Sequence, residues 1–205
     1  MRKLLANDAL FESGSQTAGR KAKLVKSNQQ GIAASAEISS LVEKIKSDLS
    51  QHPTFKRMAL PAQFGRVLIS RYEAGMSYGS HFDNAFIEGL RTDLSFTVFL
   101  SEHDAYEGGE LEIHSPMGQQ AIKLPAGCAI IYPSNQLHAV RPVTRGTRLC
   151  AVGWLQSRVR CHEKRQLLYD LDTTTAHIES SHSVDADKLL TLKHIRNNLV
   201  RMWSD

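Results

Sequence analysis

Cysteine is scarce: Cys128, Cys150 and Cys161 are all that 205 residues contain. An odd count without a C-x-x-C spacing argues against a disulfide framework or a thiolate zinc site, and suits reduced thiols in a cytoplasmic compartment. Long apolar runs are missing as well. No stretch approaches the roughly 20 residues that cross a bilayer, so no membrane partner is expected. The start, Met1-Arg-Lys-Leu-Leu-Ala-Asn-Asp8, is too weakly apolar and too soon interrupted for a secretory signal. Clustered charge is the third absence. The formal net charge is +4 and the isoelectric point is near 9.0, which invites a nucleic-acid partner. Yet Lys and Arg are scattered, with Glu43, Asp48, Glu163, Asp170 and Asp172 among them. An evenly solvated surface is expected instead, with no nucleic-acid footprint. Internal repeats and low-complexity tracts are also lacking.

What remains is ordinary globular material, 41% hydrophobic and 22% charged, enough for one core and a modest appendage. Residues 1–31 hold few apolar runs, and Asn28-Gln-Gln-Gly31 reads as a loop feeding a helix. From Ile32 to Gln51 the positions Ile38, Leu41, Val42, Ile45 and Leu49 recur at helical spacing. His52-Pro53 ends that helix, because proline pushes the preceding residue out of helical space. The period then shortens. Residues 63–72 are rich in β-formers, and in 93–101 Leu94, Phe96, Val98 and Leu100 alternate as in a half-buried strand. Further short strands are expected over 110–114, 119–124 and 128–132. His138–Val143 and Thr147–Gln156, joined by Thr-Arg-Gly146, read as a hairpin. Closely spaced short strands argue for a β-sandwich or jelly roll and against a parallel α/β sheet. After Ser157 the period is helical again. Leu167, Leu168 and Leu171 mark one helix to about residue 175, 176–186 reads as a connection, and Leu189, Leu192, Ile195, Leu199 and Met202 mark a second. The expected organisation is a mainly β unit over 1–156 with an N-terminal helix, and a helical tail over 157–205. The tail packs on the β core or on a second copy; a homodimer through these helices is one arrangement the sequence allows.

The chemistry-bearing constellation begins in Tyr72-Glu-Ala-Gly-Met-Ser-Tyr-Gly-Ser-His81-Phe-Asp83-Asn84. His81 and Asp83, two apart, leave the same face of an extended backbone. Alone, such a pair is more often a hydrogen-bonded turn than a metal site. A second histidine, His138, opens a strand 57 residues later, and a jelly roll brings such distant positions to one mouth. Two imidazoles and one carboxylate on one side of an ion form the facial triad of non-haem Fe(II) oxygenases. Arg148, ten residues on, shares its face with Cys150, Val152 and Trp154, so that face is expected to be interior. A buried guanidinium needs an acid partner, and a dicarboxylate held bidentately would supply one. Tyr72 would add a hydroxyl to the same carboxylate. His52, His103, His114, His162, His177, His182 and His194 have no spacing that suggests a second metal.

The segments YEAGMSYGSHFDNA (72–85), FTVFLS (96–101), YEGGELEI (106–113), IYPSNQLHAVRPVTRGTRLCAVGWLQS (131–157) and LVRMW (199–203) resemble the PKHD-type hydroxylases. These belong to the prolyl 4-hydroxylase-like Fe(II)/2-oxoglutarate dioxygenases. The likeness extends to TAGRKAKLVKSNQQ (17–30) and to Lys164-Arg-Gln-Leu-Leu168, and so covers nearly the whole chain. The chain is somewhat shorter than typical members, around 176–186.

The resemblance implies a double-stranded β-helix (jelly-roll) core with flanking helices. It puts His81, Asp83 and His138 on the iron ligands, Arg148 on the 2-oxoglutarate anchor and Tyr72 on a tyrosine that assists it. Implied cofactors are Fe(II), 2-oxoglutarate as co-substrate, O2 and L-ascorbate. The implied reaction hydroxylates a C–H bond while 2-oxoglutarate becomes succinate and CO2. A carboxylate at position 83 favours hydroxylation over halogenation, since halogenating relatives lack it. The leading substrate is a prolyl residue in a peptide or protein; a free amino acid or an iron-chelating metabolite is the alternative. Nucleic-acid demethylases of the superfamily are expected to carry a second arginine six residues after the anchor, where this chain has Trp154. A non-catalytic metal-binding jelly roll would have no need of Arg148.

Overall fold

The structure, a computed structural model, describes residues 7–17, 22–115, 118–181 and 185–204. Most of the chain's start, part of the similarity over 17–30, part of the expected connection over 176–186, and His182 lie outside these residues.

The N-terminal segment does more than feed a helix. Strand β3 (Gln29–Gly31) lies where a loop was expected, and β1 (Phe11–Ser13) and β2 (Lys26–Ser27) precede it in a stretch with few apolar runs. Their polar sequences carry little strand signal, and neighbouring strands supply the pairing that makes them. Helix α1 (Ala36–Gln51) starts four residues later than its apolar stripe suggested, because Ser35 caps it by accepting from the Ile38 N–H at 3.4 Å. His52 then closes one helix and opens another. It leaves helical geometry before Pro53, and its ring accepts from the Phe55 N–H at 3.4 Å, so α2 (Pro53–Ala59) follows at once. Leu60, in the left-handed region at φ 43°, turns the chain into β4 (Pro61–Tyr72).

The chain continues through β5 (Ser77–His81), the small hairpin β6 (Phe86–Ile87) and β7 (Leu90–Arg91), β8 (Leu94–Phe99), β9 (Tyr106–Gly108), β10 (Leu111–Ser115) and β11 (Gly118–Ile122). Strands β12 (Ala129–Pro133), β13 (His138–Val140), β14 (Val143–Gly146) and β15 (Arg148–Ser157) complete the β unit. Two antiparallel sheets face each other in the orders β1-β3-β4-β15-β8-β12 and β11-β10-β13-β5-β2. The fold is a mainly β jelly roll.

Two expectations about strands need correction. His138–Val143 and Thr147–Gln156 are not a hairpin: β13 pairs with β5 and β10, whereas β15 pairs with β4 and β8 in the opposite sheet. The link through β14 crosses between sheets, so His138 and Arg148 line one cavity from opposite sheets. Nor is β8 half-buried. All six of its residues are buried, because Leu94, Phe96 and Val98 pack under the helices while Ser95, Thr97 and Phe99 point between the sheets.

The main core lies between α1, α2 and the six-stranded sheet. Ile38, Leu41, Ile45, Leu49 and Phe55 meet Val67, Ile69, Phe96, Ala151 and Leu155. Phe55 stacks on Phe64 at 5.7 Å, and both meet the Phe96 ring edge-on at 6.3 and 6.1 Å. Gly153, opposite Phe96 in the register, leaves room for that ring; a Cβ there would come within 2.6 Å of it.

Helices α3 (His162–Ser180) and α4 (Ala186–Trp203) form the tail. The first runs past residue 175 to Ser180, so the connection is shorter than expected. The packed residues also differ from the stripe read in sequence. Leu199, Val200 and Trp203 close on Leu60, Val159 and Leu168, while Ile195 and Met202 are exposed. Arg165, 3% exposed, donates to the Val159 and Arg160 carbonyls at 2.8 and 2.7 Å. Among the described residues no helix is long and apolar enough to cross a membrane.

Gly153→Ala is expected to lower unfolding free energy by about 1–3 kcal/mol through overpacking against Phe96. Urea denaturation followed by circular dichroism checks this; an unchanged midpoint would show that the ring moves aside freely.

Candidate metal and co-substrate site

His81 ends β5 and His138 begins β13, and the two are directly opposed across the antiparallel pair. Opposed residues project to one face, and the imidazole centroids are 4.2 Å apart. Asp83 follows in the irregular stretch after β5, where its N–H donates to the Ser134 carbonyl at 3.3 Å. One ligand atom from each of His81, Asp83 and His138 lies within 4.8 Å of the others, a group that can hold a metal ion.

Each imidazole is oriented from behind. His81 Nδ1 is 2.8 Å from the Gly79 carbonyl and His138 Nδ1 is 2.9 Å from the Gln136 carbonyl. A carbonyl can only accept, so Nδ1 carries the proton in both rings and Nε2 keeps its lone pair. Tyr78 stacks on His81 at 3.6 Å and Tyr132 meets His138 edge-on at 5.1 Å. Burial, reinforced by the neighbouring His138, lowers the His81 pKa to about 4, so its ring is neutral at neutral pH. The carboxylate is fixed from the other sheet. Ser95 Oγ donates to Asp83 Oδ2 at 2.6 Å and stands 2.8 Å from Ser134 Oγ.

The three residues open into a cavity of about 740 Å³ between the sheets, which Tyr72, Tyr132, Arg148 and Trp154 also line. Arg148 is 1% exposed. Its Nη1 donates to Cys150 Sγ at 2.8 Å, while Nε and Nη2 have no partner. Tyr72, its register partner, holds a ring 5.2 Å from the guanidinium, with Phe99 at 5.5 Å. Burying a cation among aromatic rings without an acid is costly. The donor chemistry therefore fits a carboxylate brought by a ligand, and the His-Asp-His group fits a divalent ion. Cys150 and Val152 share the interior face with Arg148, as the alternation suggested.

Ser95, Ser134 and Tyr132 were not singled out from sequence. Ser95 and Thr97 carried no signal of this role, because polar residues alternating with Leu94, Phe96 and Val98 read as the solvent face of a half-buried strand, whereas all of β8 is buried. Two large apolar side chains stand exposed among the residues that line the cavity: Phe82 and Phe86, 68% and 62% exposed. Phe86 belongs to the β6–β7 hairpin, whose Glu88 pairs with Arg66 at 3.3 Å. Lys26 lines the same cavity, with its pKa lowered to about 8 by burial and by Arg66.

Residues 67–156 match the family model of the 2OG-Fe(II) oxygenase superfamily, and residues 163–205 match the PKHD-type hydroxylase C-terminal domain. A PKHD-type hydroxylase of Acaryochloris marina is 46% identical over 206 residues, spanning 100% of this chain and 93% of that protein. This chain belongs to the PKHD-type hydroxylases. A second member, YbiX of Escherichia fergusonii, is 39% identical over 202 residues, 96% of this chain and 89% of that one. Membership implies an Fe(II)-, 2-oxoglutarate- and O2-using hydroxylase. Among solved structures, a Pseudomonas putida prolyl-4-hydroxylase shares the fold with TM-score 0.54 and 23% identity, covering 77% of this chain and 82% of that one. A Trichoplax adhaerens prolyl hydroxylase, in complex with a hypoxia inducible factor peptide fragment, does so with TM-score 0.51 and 16% identity, over 81% and 77%.

Loss of the Ser95 hydroxyl leaves the Asp83 carboxylate free to turn. Ser95→Ala is expected to weaken Co(II) binding by about 10- to 100-fold, measured by titration of the visible absorption band. Wild-type affinity in that variant would show that Asp83 needs no outside support.

Proposed function

We propose that this PKHD-type hydroxylase holds Fe(II) with His81, Asp83 and His138, anchors 2-oxoglutarate with Arg148 assisted by Tyr72, and hydroxylates a prolyl residue in a peptide or protein. The observation that carries the reading is that three metal-donor side chains and a buried guanidinium lacking an acid share one cavity. Bound together, the ion and co-substrate supply the oxidising chemistry: O2 is consumed, 2-oxoglutarate becomes succinate and CO2, and a C–H bond becomes C–OH. The chain's own work is geometric and electrostatic. His81 and His138 present unprotonated Nε2 atoms and Asp83 offers a carboxylate held by Ser95, a donor set that would hold a divalent ion. Arg148 would neutralise the far carboxylate of the co-substrate, and the Tyr72 and Phe99 rings beside it would keep water from that end.

A polypeptide substrate is supported by the exposed side chains of the cavity. A free amino acid would need an enclosing wall, whereas exposed Phe82 and Phe86 offer apolar surface suited to side chains that flank a target. The two prolyl hydroxylases that share the fold point the same way. In this reading the unit over 1–156 carries the reaction and the tail over 157–205 braces it. The three free thiols suit a cytoplasmic setting.

The test is succinate formation from 2-oxoglutarate with Fe(II), ascorbate and O2, over a proline-containing peptide library. His81→Ala is expected to abolish turnover, and Arg148→Gln to raise the KM for 2-oxoglutarate by about 30-fold or more. Phe86→Ala is expected to raise the peptide KM by about 5- to 30-fold through lost apolar contact. Turnover with free amino acids or iron-chelating metabolites but with no peptide would move the substrate to those classes. Wild-type protein that binds neither Fe(II) nor 2-oxoglutarate would leave only a non-catalytic module.

A further inference from the structure

A second cavity, of about 690 Å³, lies where α2, the start of β4 and the end of β15 meet the tail helices. Its size suits a small molecule. It shares no lining residue with the cavity of His81, Asp83, His138 and Arg148. Lys and Arg are scattered along the sequence, yet five of them gather here. Lys56 and Arg57 come from α2, Arg158 follows β15, and Lys193 and Arg196 come from α4. Two carboxylates share the lining, Asp172 and Glu179 of α3, and both are already engaged. Arg196 holds Asp172 through two bonds, Nε to Oδ1 at 2.9 Å and Nη2 to Oδ2 at 3.1 Å. Lys193 Nζ donates to Glu179 Oε1 at 2.6 Å. Lys56, Arg57 and Arg158 are left over: among the described residues none of the three pairs with an acid. The lining therefore carries a surplus of three positive charges, and a concave surface of one sign concentrates its field.

The backbone gathers these cations through one residue. The Leu60 N–H donates to the Lys56 carbonyl at 3.1 Å, and the Leu60 carbonyl accepts from the Arg158 N–H at 2.8 Å. Thr175 of α3 lines the same cavity and is 8% exposed. A threonine inside a helix can give its hydroxyl to a carbonyl one turn back, as Thr173 does to Tyr169 at 2.9 Å and Thr191 to Asp187 at 2.8 Å. Thr175 Oγ1 is buried and has no partner. Leaving a buried hydroxyl unanswered costs stability. The surplus charge and the orphan hydroxyl call for the same thing, an acceptor with more than one negative charge. A phosphate fits better than a carboxylate: its oxygens point in several directions and carry nearly two charges, whereas a carboxylate offers two oxygens in one plane. Leu60, Pro61, Ala176 and Val200 add apolar wall for the rest of a ligand.

We infer that this cavity binds a small molecule carrying a phosphate or diphosphate group, held on one side by Lys56, Arg57 and Arg158 and on the other by the Thr175 hydroxyl. The ligand ties α3 to α2 and to the end of the six-stranded sheet, away from the residues that hold the reaction. The unpaired charge is confined to three residues, which suits one or two phosphates rather than the run of phosphates on a nucleic-acid strand. Nothing in this inference rests on the reading of the first cavity.

The experiment is calorimetric titration of the full chain with pyrophosphate, without added metal so that no ion at His81, Asp83 and His138 draws the anion. Thermal unfolding is followed in parallel by circular dichroism. Wild-type protein is expected to bind, and to melt roughly 5–10 °C higher at about 100 times the Kd. Lys56→Gln, Arg57→Gln and Arg158→Gln combined are expected to weaken binding by about 10- to 100-fold, and each alone by about 2- to 5-fold because each is partly solvated. Thr175→Val is expected to melt higher than wild type without ligand, since the unanswered hydroxyl is gone, and yet to bind about 10-fold more weakly. A purely structural role for these residues would not move the two readouts in opposite directions. Arg148→Gln is expected to bind as wild type does. Binding that Arg148→Gln abolishes and the triple variant keeps would place the anion in the first cavity and overturn the inference. So would wild-type affinity in Thr175→Val or in the triple variant, or no binding of pyrophosphate by wild-type protein. Single-stranded RNA that binds where pyrophosphate does not would overturn it in favour of a nucleic-acid surface.

Discussion

The site depends on one register. His81 and His138 oppose each other across the β5–β13 pair, and because side chains alternate along a strand, a slip of one residue would send one imidazole to the other face. What fixes the register is on either side of the histidines. Tyr78 opposes Val140 and Lys26, and β13 is gripped from its other edge by β10 through Ile113, Glu112 and Leu111. Apolar burial of Leu111, Ile113 and Val140 thus determines where two polar rings meet. The carboxylate of the group depends on the opposite sheet through Ser95. The donor set is assembled only when both sheets are packed.

Much of this was legible in the sequence because it is local. The closeness of His81 and Asp83 was readable from their i, i+2 spacing, although Asp83 lies just beyond the end of β5 and is held there by Ser134 and Ser95. The alternation of Arg148, Cys150 and Val152 did mark an interior face. Helices α1, α3 and α4 announced themselves by period. The β13–β15 relationship was not legible. Two strands joined by a short turn look like a hairpin whether or not they pair, and only the partners β4, β5, β8 and β10, remote in sequence, decide it. Strands β1 and β3 failed for the same reason: Phe11–Ser13 and Gln29–Gly31 have few β-formers and are strands because they oppose each other and β3 also pairs with β4. On the tail, Ile195 and Met202 fit the helical period but face solvent, since a stripe wide enough for two faces does not say which one packs.

The glycines in the site region illustrate a constraint that motifs hide. Gly108-Gly109 is a weak signal as letters. In the fold, those positions are where the β9 chain passes over Pro142 and where Arg148 and Tyr106 meet. Gly153 plays the corresponding part on the far side of β15, where the Phe96 ring takes the space a side chain would fill. One strand therefore has its polar face shaped by what β9 allows and its apolar face shaped by its own missing side chain.

Arg148 has one further consequence. A guanidinium buried with two empty nitrogens makes the folded chain less stable than it would be with the charge answered. A carboxylate that answers it binds the folded chain and finds no such pocket in the unfolded one. Its free-energy contribution then grows with the logarithm of its concentration. For a protein of ordinary marginal stability, the population that escapes proteolysis becomes a function of how much of that carboxylate the cell contains. Supply of the small acid would set the enzyme's abundance as well as its rate.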